Sequence, residues 1–161
     1  MKFHLIDRII AWEAGKRLRA VKNLTLAEEY LADHFPSFPV MPGVMMLQSV
    51  VEASSWLWRI SSGFSHDLIV LKEAKNVKYG TFMLPGNTMQ IQTDLLEINE
   101  NTAVFRGKGT TEAGATTVSA QIVLRGEVLP ARDGPAPRES YRHHWLELTR
   151  FVKEFSSELS S

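Results

Sequence analysis

One stretch of the chain has residue types and spacing suited to proton transfer next to a carbonyl group: His34-Phe35-Pro36-Ser37-Phe38-Pro39-Val40-Met41-Pro42-Gly43-Val44. Three prolines within seven residues hold the backbone extended and stiff, because each ring fixes its own φ and restricts the residue before it. Gly43 then allows close approach to the main chain, and the apolar run Val44-Met45-Met46-Leu47 follows. A helix starting there presents unpaired N–H groups and a partial positive charge, which suits a carbonyl oxygen gaining negative charge. A histidine held by a rigid loop beside such a helix end is suited to the role of a general base. A structural histidine ahead of a proline-rich turn would use the same residues, and both readings stand at this point.

The other histidines carry less. His4 lies in the opening segment and His66 in a loop before a strand, so both read as surface or structural residues. His143 and His144 are adjacent, and on a helix they point about 100° apart, a poor chelate even with Glu147 nearby. The chain has no Cys, which excludes a thiol nucleophile, a disulfide framework and Cys-based zinc or iron–sulfur sites. No metal or redox cofactor is expected.

The elements that position His34 follow from periodicity. Arg17–Lys22 and Met89–Leu95 alternate at period two; Thr102–Thr110 and Thr116–Val128 are rich in Val, Thr and Ile, with Gly114 as a turn between them. Leu68–Tyr79 is a weaker strand. From Pro42 to about Ile60, Leu47, Val50, Val51, Ser54 and Trp58 recur at helical spacing, and Met46, Ala53 and Leu57 widen the face. A helix apolar nearly all round is a buried helix; Trp56 and Trp58 on it read as core or dimer-contact residues. A central helix followed by four antiparallel strands gives an α+β fold with a sheet wrapped around the helix. Three prolines and a glycine in Pro130–Pro137 read as a linker. Beyond it Trp145, Leu148, Val152, Phe155 and Leu159 form an amphipathic stripe. The expected division is 1–129 as the catalytic-type domain, 130–140 as linker and 141–161 as a C-terminal helix.

At 161 residues the chain is one ordinary domain with a real core. Eighteen Lys+Arg balance eighteen Asp+Glu, so no broad nucleic-acid or anionic-membrane footprint is expected. The basic bias of residues 1–22 reads as a solvated strand and turn. From Arg132 onward five basic residues meet five acidic ones, which argues against a membrane-surface helix. No apolar run exceeds four residues, so no membrane span is expected, and the N-terminus lacks a signal-peptide core. Cytoplasmic location is the expectation.

The loop His-Phe-Pro-x-x-Pro-Val-Met-Pro-Gly-Val resembles the signature of the 3-hydroxyacyl-acyl carrier protein dehydratases, hotdog-fold enzymes of bacterial fatty acid synthesis. Leu5-Ile6-Asp7-Arg8-Ile9, Gly15-Lys16-Arg17-Leu18 and Val21-Lys22-Asn23-Leu24-Thr25 are similar to that family's opening hairpin. Lys78-Tyr79-Gly80-Thr81-Phe82-Met83-Leu84-Pro85-Gly86-Asn87 resembles its later strand-turn motif, which usually ends Pro-Gly-Asp. The resemblance covers about residues 3–128 and leaves out the linker and terminal helix.

It implies a hotdog fold and definite roles. His34 falls at the position that takes the proton alpha to a thioester carbonyl, and Gly43, with Val44 beside it, at the helix end whose N–H polarises that carbonyl. Fourteen residues after the histidine the family carries Glu or Asp, which reaches the histidine of the opposite subunit and helps the 3-hydroxyl leave as water. Here that residue is Gln48. An amide donates and accepts hydrogen bonds but supplies no proton near neutral pH. Glu52, one turn later and about 6 Å along the axis, is the candidate substitute. Asp33 stands where the family more often has Gly, although neighbouring side chains on extended backbone point apart. Three activities stay open: a lyase dehydrating 3-hydroxyacyl thioesters of acyl carrier protein or coenzyme A, a thioester-binding accessory protein, and a thioesterase in which Gln48 positions water. The resemblance implies a homodimer, or a trimer of dimers, with His34 facing Gln48 of the partner subunit.

Overall fold

The computed structural model describes residues 4–131, 133–135 and 137–150. Six strands form one antiparallel sheet: β1 (Arg8–Glu13), β2 (Arg17–Asn23), β3 (Leu68–Tyr79), β4 (Thr88–Ile98), β5 (Thr102–Thr110) and β6 (Thr116–Glu127), in the order β1-β2-β4-β5-β6-β3. Helix α1 (Gly43–Ser61) lies in its concave face, and α2 (Pro137–Leu148) is appended. This is the α+β sheet wrapped around a helix expected from the alternating strands and the single apolar helix, and it is the hotdog architecture that the resemblance implies.

The strands bury alternate residues, as half-buried strands must. Leu18 and Ala20 of β2, Met89, Ile91 and Thr93 of β4, Ala103 and Phe105 of β5, and Val118, Ala120, Ile122 and Leu124 of β6 all turn inward. They meet Met46, Val50, Ala53, Leu57 and Trp58 of α1. Ser54, a polar residue in that interface, is satisfied: its hydroxyl reaches Val50 O at 2.9 Å and the Thr93 hydroxyl at 2.7 Å. Gly107 lets the helix approach the sheet, since a Cβ there would lie 2.1 Å from Val50 Cγ1.

One expectation needs revision. Helix α2 begins at Pro137, within the segment read as linker, rather than at Tyr141. Proline is a favourable first helical residue, because the N–H it lacks would have no intrahelical acceptor anyway. His66 takes the structural of its two readings: it is buried against Trp58, with Nε2 3.2 Å from Glu100 O. Of the expected amphipathic stripe, Trp145 packs on Trp12 and Trp56 with ring centroids at 5.0 and 6.0 Å, and Leu148 is buried. Val152, Phe155 and Leu159 lie outside the described residues.

Candidate active site

The proline loop closes on itself. Val40 N–H donates to His34 O at 3.2 Å, Phe38 N–H to Phe35 O at 3.0 Å, and His34 Nδ1 lies 3.0 Å from Val40 O. A carbonyl oxygen only accepts, so Nδ1 carries the proton, and in the neutral ring Nε2 keeps its lone pair. Val40 and Met41 are fully buried and anchor the loop, while Met41 N–H donates to Met83 O at 2.9 Å. His34 is half-buried with its ring 4.5 Å from that of Phe35.

The loop delivers the chain into α1. Pro42 is the residue before the first helical one, and its carbonyl accepts from both Met45 and Met46 N–H. The N–H groups of Gly43 and Val44 find no acceptor among the described residues. The Tyr79 ring lies over Gly43, and a Cβ there would be 3.0 Å from Tyr79 Cε1. His34, Gly43 and Val44 are thus carried by one short, internally braced loop-to-helix junction: a basic nitrogen with a free lone pair and two free N–H donors.

Gln48 lies on the exposed part of α1, about 8 Å along the axis from Gly43, and its amide forms no hydrogen bond to a described residue. Glu52 is half-buried one turn on. Burial pushes its carboxyl up to about 7 and Asp7 adds to the rise, against the opposing effects of Lys22 and a Trp56 hydrogen bond. Lys22 itself is buried and bridges Glu28 at 2.5 Å, with Asp7 at 3.8 Å. Glu52 therefore feels the charges of Lys22 and Asp7 of its own subunit without an ion pair of its own among the described residues.

Around the junction, large apolar side chains face solvent: Phe35, Phe38, Val44, Tyr79, Phe82 and Leu84, with Val44 68% and Phe82 63% exposed. Phe38 and Phe82 meet edge to face at 6.5 Å.

A FabA-like domain model matches residues 1–123. The chain belongs to the FabA-like family. Among curated members, the 3-hydroxyacyl-[acyl-carrier-protein] dehydratase FabZ of Caldicellulosiruptor bescii is 31% identical over 127 residues, covering 79% of this chain and 86% of the relative. FabZ of Wolbachia pipientis wMel is 31% identical over 104 residues, 65% of this chain and 73% of its own. Among solved structures, a chain of the dehydratase heterocomplex ApeI:P from Xenorhabdus doucetiae superposes with a TM-score of 0.62 at 14% identity, covering 80% and 84% of the two chains. A mutant thioesterase from Pseudomonas aeruginosa superposes at 0.60 and 15% identity, covering 76% and 81%. These two structures share the hotdog fold and, at such identities, speak to the fold alone. The family match ends before α2, which lies wholly beyond it.

Sequence reasoning missed two parts of the site. The Tyr79 ring over Gly43 joins residues 36 positions apart, and Lys78–Asn87 signalled only a strand and turn. The half-buried Glu52, within reach of the charges of Lys22 and Asp7, left a weak trace: one carboxylate on an otherwise apolar helix face.

Proposed function

We propose that the protein dehydrates 3-hydroxyacyl thioesters, carried on acyl carrier protein or coenzyme A, to trans-2-enoyl thioesters. The observation that carries this reading is the Nδ1 bond to Val40 O, which leaves His34 Nε2 with its lone pair on the same braced loop that leads into the helix end where the Gly43 and Val44 N–H groups find no acceptor among the described residues. The thioester carbonyl accepts from Gly43 N–H, with Val44 at its edge, and this stabilises the enolate formed when Nε2 removes the alpha proton. The C–O bond to the 3-hydroxyl then breaks. Because Gln48 has no proton to give, the imidazolium returns the abstracted proton to the departing oxygen, which leaves as water. The Gln48 amide of the second subunit orients that oxygen.

A homodimer completes the site in this reading. The exposed apolar collar around His34 supports it, since such a contiguous surface is characteristic of an interface. Light scattering at micromolar concentration is expected to give a dimer or a trimer of dimers; a monomer would remove the shared site.

Gln48 favours a second reading, hydrolysis, in which its amide holds a water for His34 to activate. One assay separates them: the purified chain with a 3-hydroxyacyl thioester, followed for enoyl absorbance and for free thiol. Enoyl formation without thiol release is the expected result. Thiol release alone would establish the hydrolase, and neither product would leave a thioester-binding accessory protein.

A further inference from the structure

Granted the reading of the His34 junction as a thioester site, on which this step rests, we infer that the Tyr79 hydroxyl is a further hydrogen-bond donor to the thioester carbonyl. The Tyr79 ring runs along Gly43: a Cβ on Gly43 would stand 3.0 Å from Tyr79 Cε1 and 3.2 Å from both Cδ1 and Cζ. Cζ bears the hydroxyl, so the outer edge of the ring meets the residue whose N–H finds no acceptor among the described residues. Gly43 is the first residue of α1 and does not take the left-handed φ that calls for glycine. What calls for glycine here is space, because a side chain at 43 would crowd the ring away from the helix end.

The Tyr79 main chain is held firmly. Tyr79 closes β3 opposite Val118 of β6, and the next residue, Gly80, donates its N–H to Thr117 O at 2.9 Å. A Cβ on Gly80 would lie 2.3 Å from Thr116 O, so the chain presses on β6 at that point. From so fixed a base, a tyrosine with only two side-chain torsions loses little freedom in aiming its hydroxyl. That hydroxyl has no hydrogen-bond partner among the described residues, and Tyr79 is 49% exposed, so a substrate can reach it. A ring that only covered Gly43 would have no use for it. A phenol O–H donates, and a carbonyl oxygen has two lone pairs to accept with. Gly43 N–H takes one and the Tyr79 hydroxyl takes the other. As the alpha proton leaves for His34, negative charge gathers on this oxygen and both bonds strengthen. The Gln48 amide of the second subunit stays with the 3-hydroxyl, so the two polar groups serve different ends of the reacting unit.

The test compares the full chain with Tyr79→Phe, which keeps the ring on Gly43 and removes only the hydroxyl; equal melting temperatures will show that the packing is intact. With 3-hydroxyoctanoyl thioesters of coenzyme A and of acyl carrier protein, kcat for enoyl formation should fall about ten- to a hundredfold. The loss stays below that of a closed oxyanion hole because water can enter beside a half-exposed ring, and KM should hold within about twofold, since the bond matters most in the transition state. A second readout is independent of turnover: the infrared stretch of a carbon-13-labelled carbonyl in bound octanoyl thioester, which has no 3-hydroxyl. It should move to higher frequency in Tyr79→Phe, as one hydrogen bond is lost. Unchanged kcat, or a lower kcat with an unmoved carbonyl band, would overturn the inference; in the second case the hydroxyl serves the 3-hydroxyl end instead. Thiol release by the wild type in place of enoyl formation would overturn the dehydration reading alone, because the oxyanion of hydrolysis forms on the same oxygen and Tyr79→Phe should then slow thiol release. If neither product forms, the carbonyl band decides, and the lack of any bound band would sink both readings.

Discussion

Glu52→Gln should stabilise the protein, and by an amount that depends on pH. Burial raises the Glu52 carboxyl from its ordinary 4.5 to about 7 in the folded state. The folded chain therefore holds this proton more tightly than the unfolded one. The sign follows by linkage: the favourable protonated state is fully present below pH 4.5, and its contribution is lost as pH rises through 7. Shifted by that much, one carboxyl is worth about 3 kcal/mol. Gln keeps the neutral shape and can still accept the Trp56 hydrogen bond, while Lys22 keeps Glu28. Urea unfolding of both proteins should give equal stability near pH 4.5 and an advantage to Glu52→Gln approaching 3 kcal/mol at pH 8, with unchanged slopes. Every other titrating group is common to the two proteins and drops out of the difference. A gap that does not vary with pH, or a variant less stable at pH 8, would refute the reasoning and place Glu52 as a charged partner of Lys22.

His34→Ala should abolish enoyl formation without lowering the melting temperature by more than a few degrees; full retained activity would make His34 structural. Gln48→Glu should raise enoyl formation about tenfold or more, because it restores a proton donor at an otherwise non-titrating position. A rise confined to thiol release would favour hydrolysis. Gly107→Ala should cost about 1–3 kcal/mol in chemical denaturation, since its methyl group would meet Val50 Cγ1 at 2.1 Å, and Val50→Ala in the same chain should recover part of the loss.

The sequence was most readable where burial imposes a period. The alternation from Met89 to Leu95 is that of a strand with one face on the core, and α1 announced itself by apolar residues on nearly every side. The start of α2 was misread because Pro137 looked like one more linker proline; the position that tolerates proline inside a helix is its first, and nothing local distinguishes the two uses. His34, Gly43 and Val44 were legible because they are close in sequence and the prolines between them restrict the backbone. Tyr79 was not, since its meeting with Gly43 depends on the curvature of the whole sheet. Gln48 was legible as a departure, but its exposure on α1 is a property of the folded chain.

Helix α2 is tied into the domain by buried polar and aromatic contacts. Asp67 is buried, accepts from Leu129 N–H at 2.9 Å, and holds Arg138 through Nε at 2.9 Å and Nη2 at 3.2 Å. The Leu129 N–H, ahead of Arg138, holds the Asp67 carboxyl below the usual carboxylate range. Arg59, only 5% exposed, has the Tyr141 ring 3.8 Å from its guanidinium, and its Nη1 finds no acceptor among the described residues. Cutting the chain back to the 123 residues of the family match would strip Tyr141 and Trp145 from Arg59, Trp12 and Trp56. A chimera that grafts this hotdog onto another member's C-terminus must therefore transfer α2 together with Trp12, Trp56, Arg59 and Asp67, because α2, which lies beyond the family match, shields residues inside it.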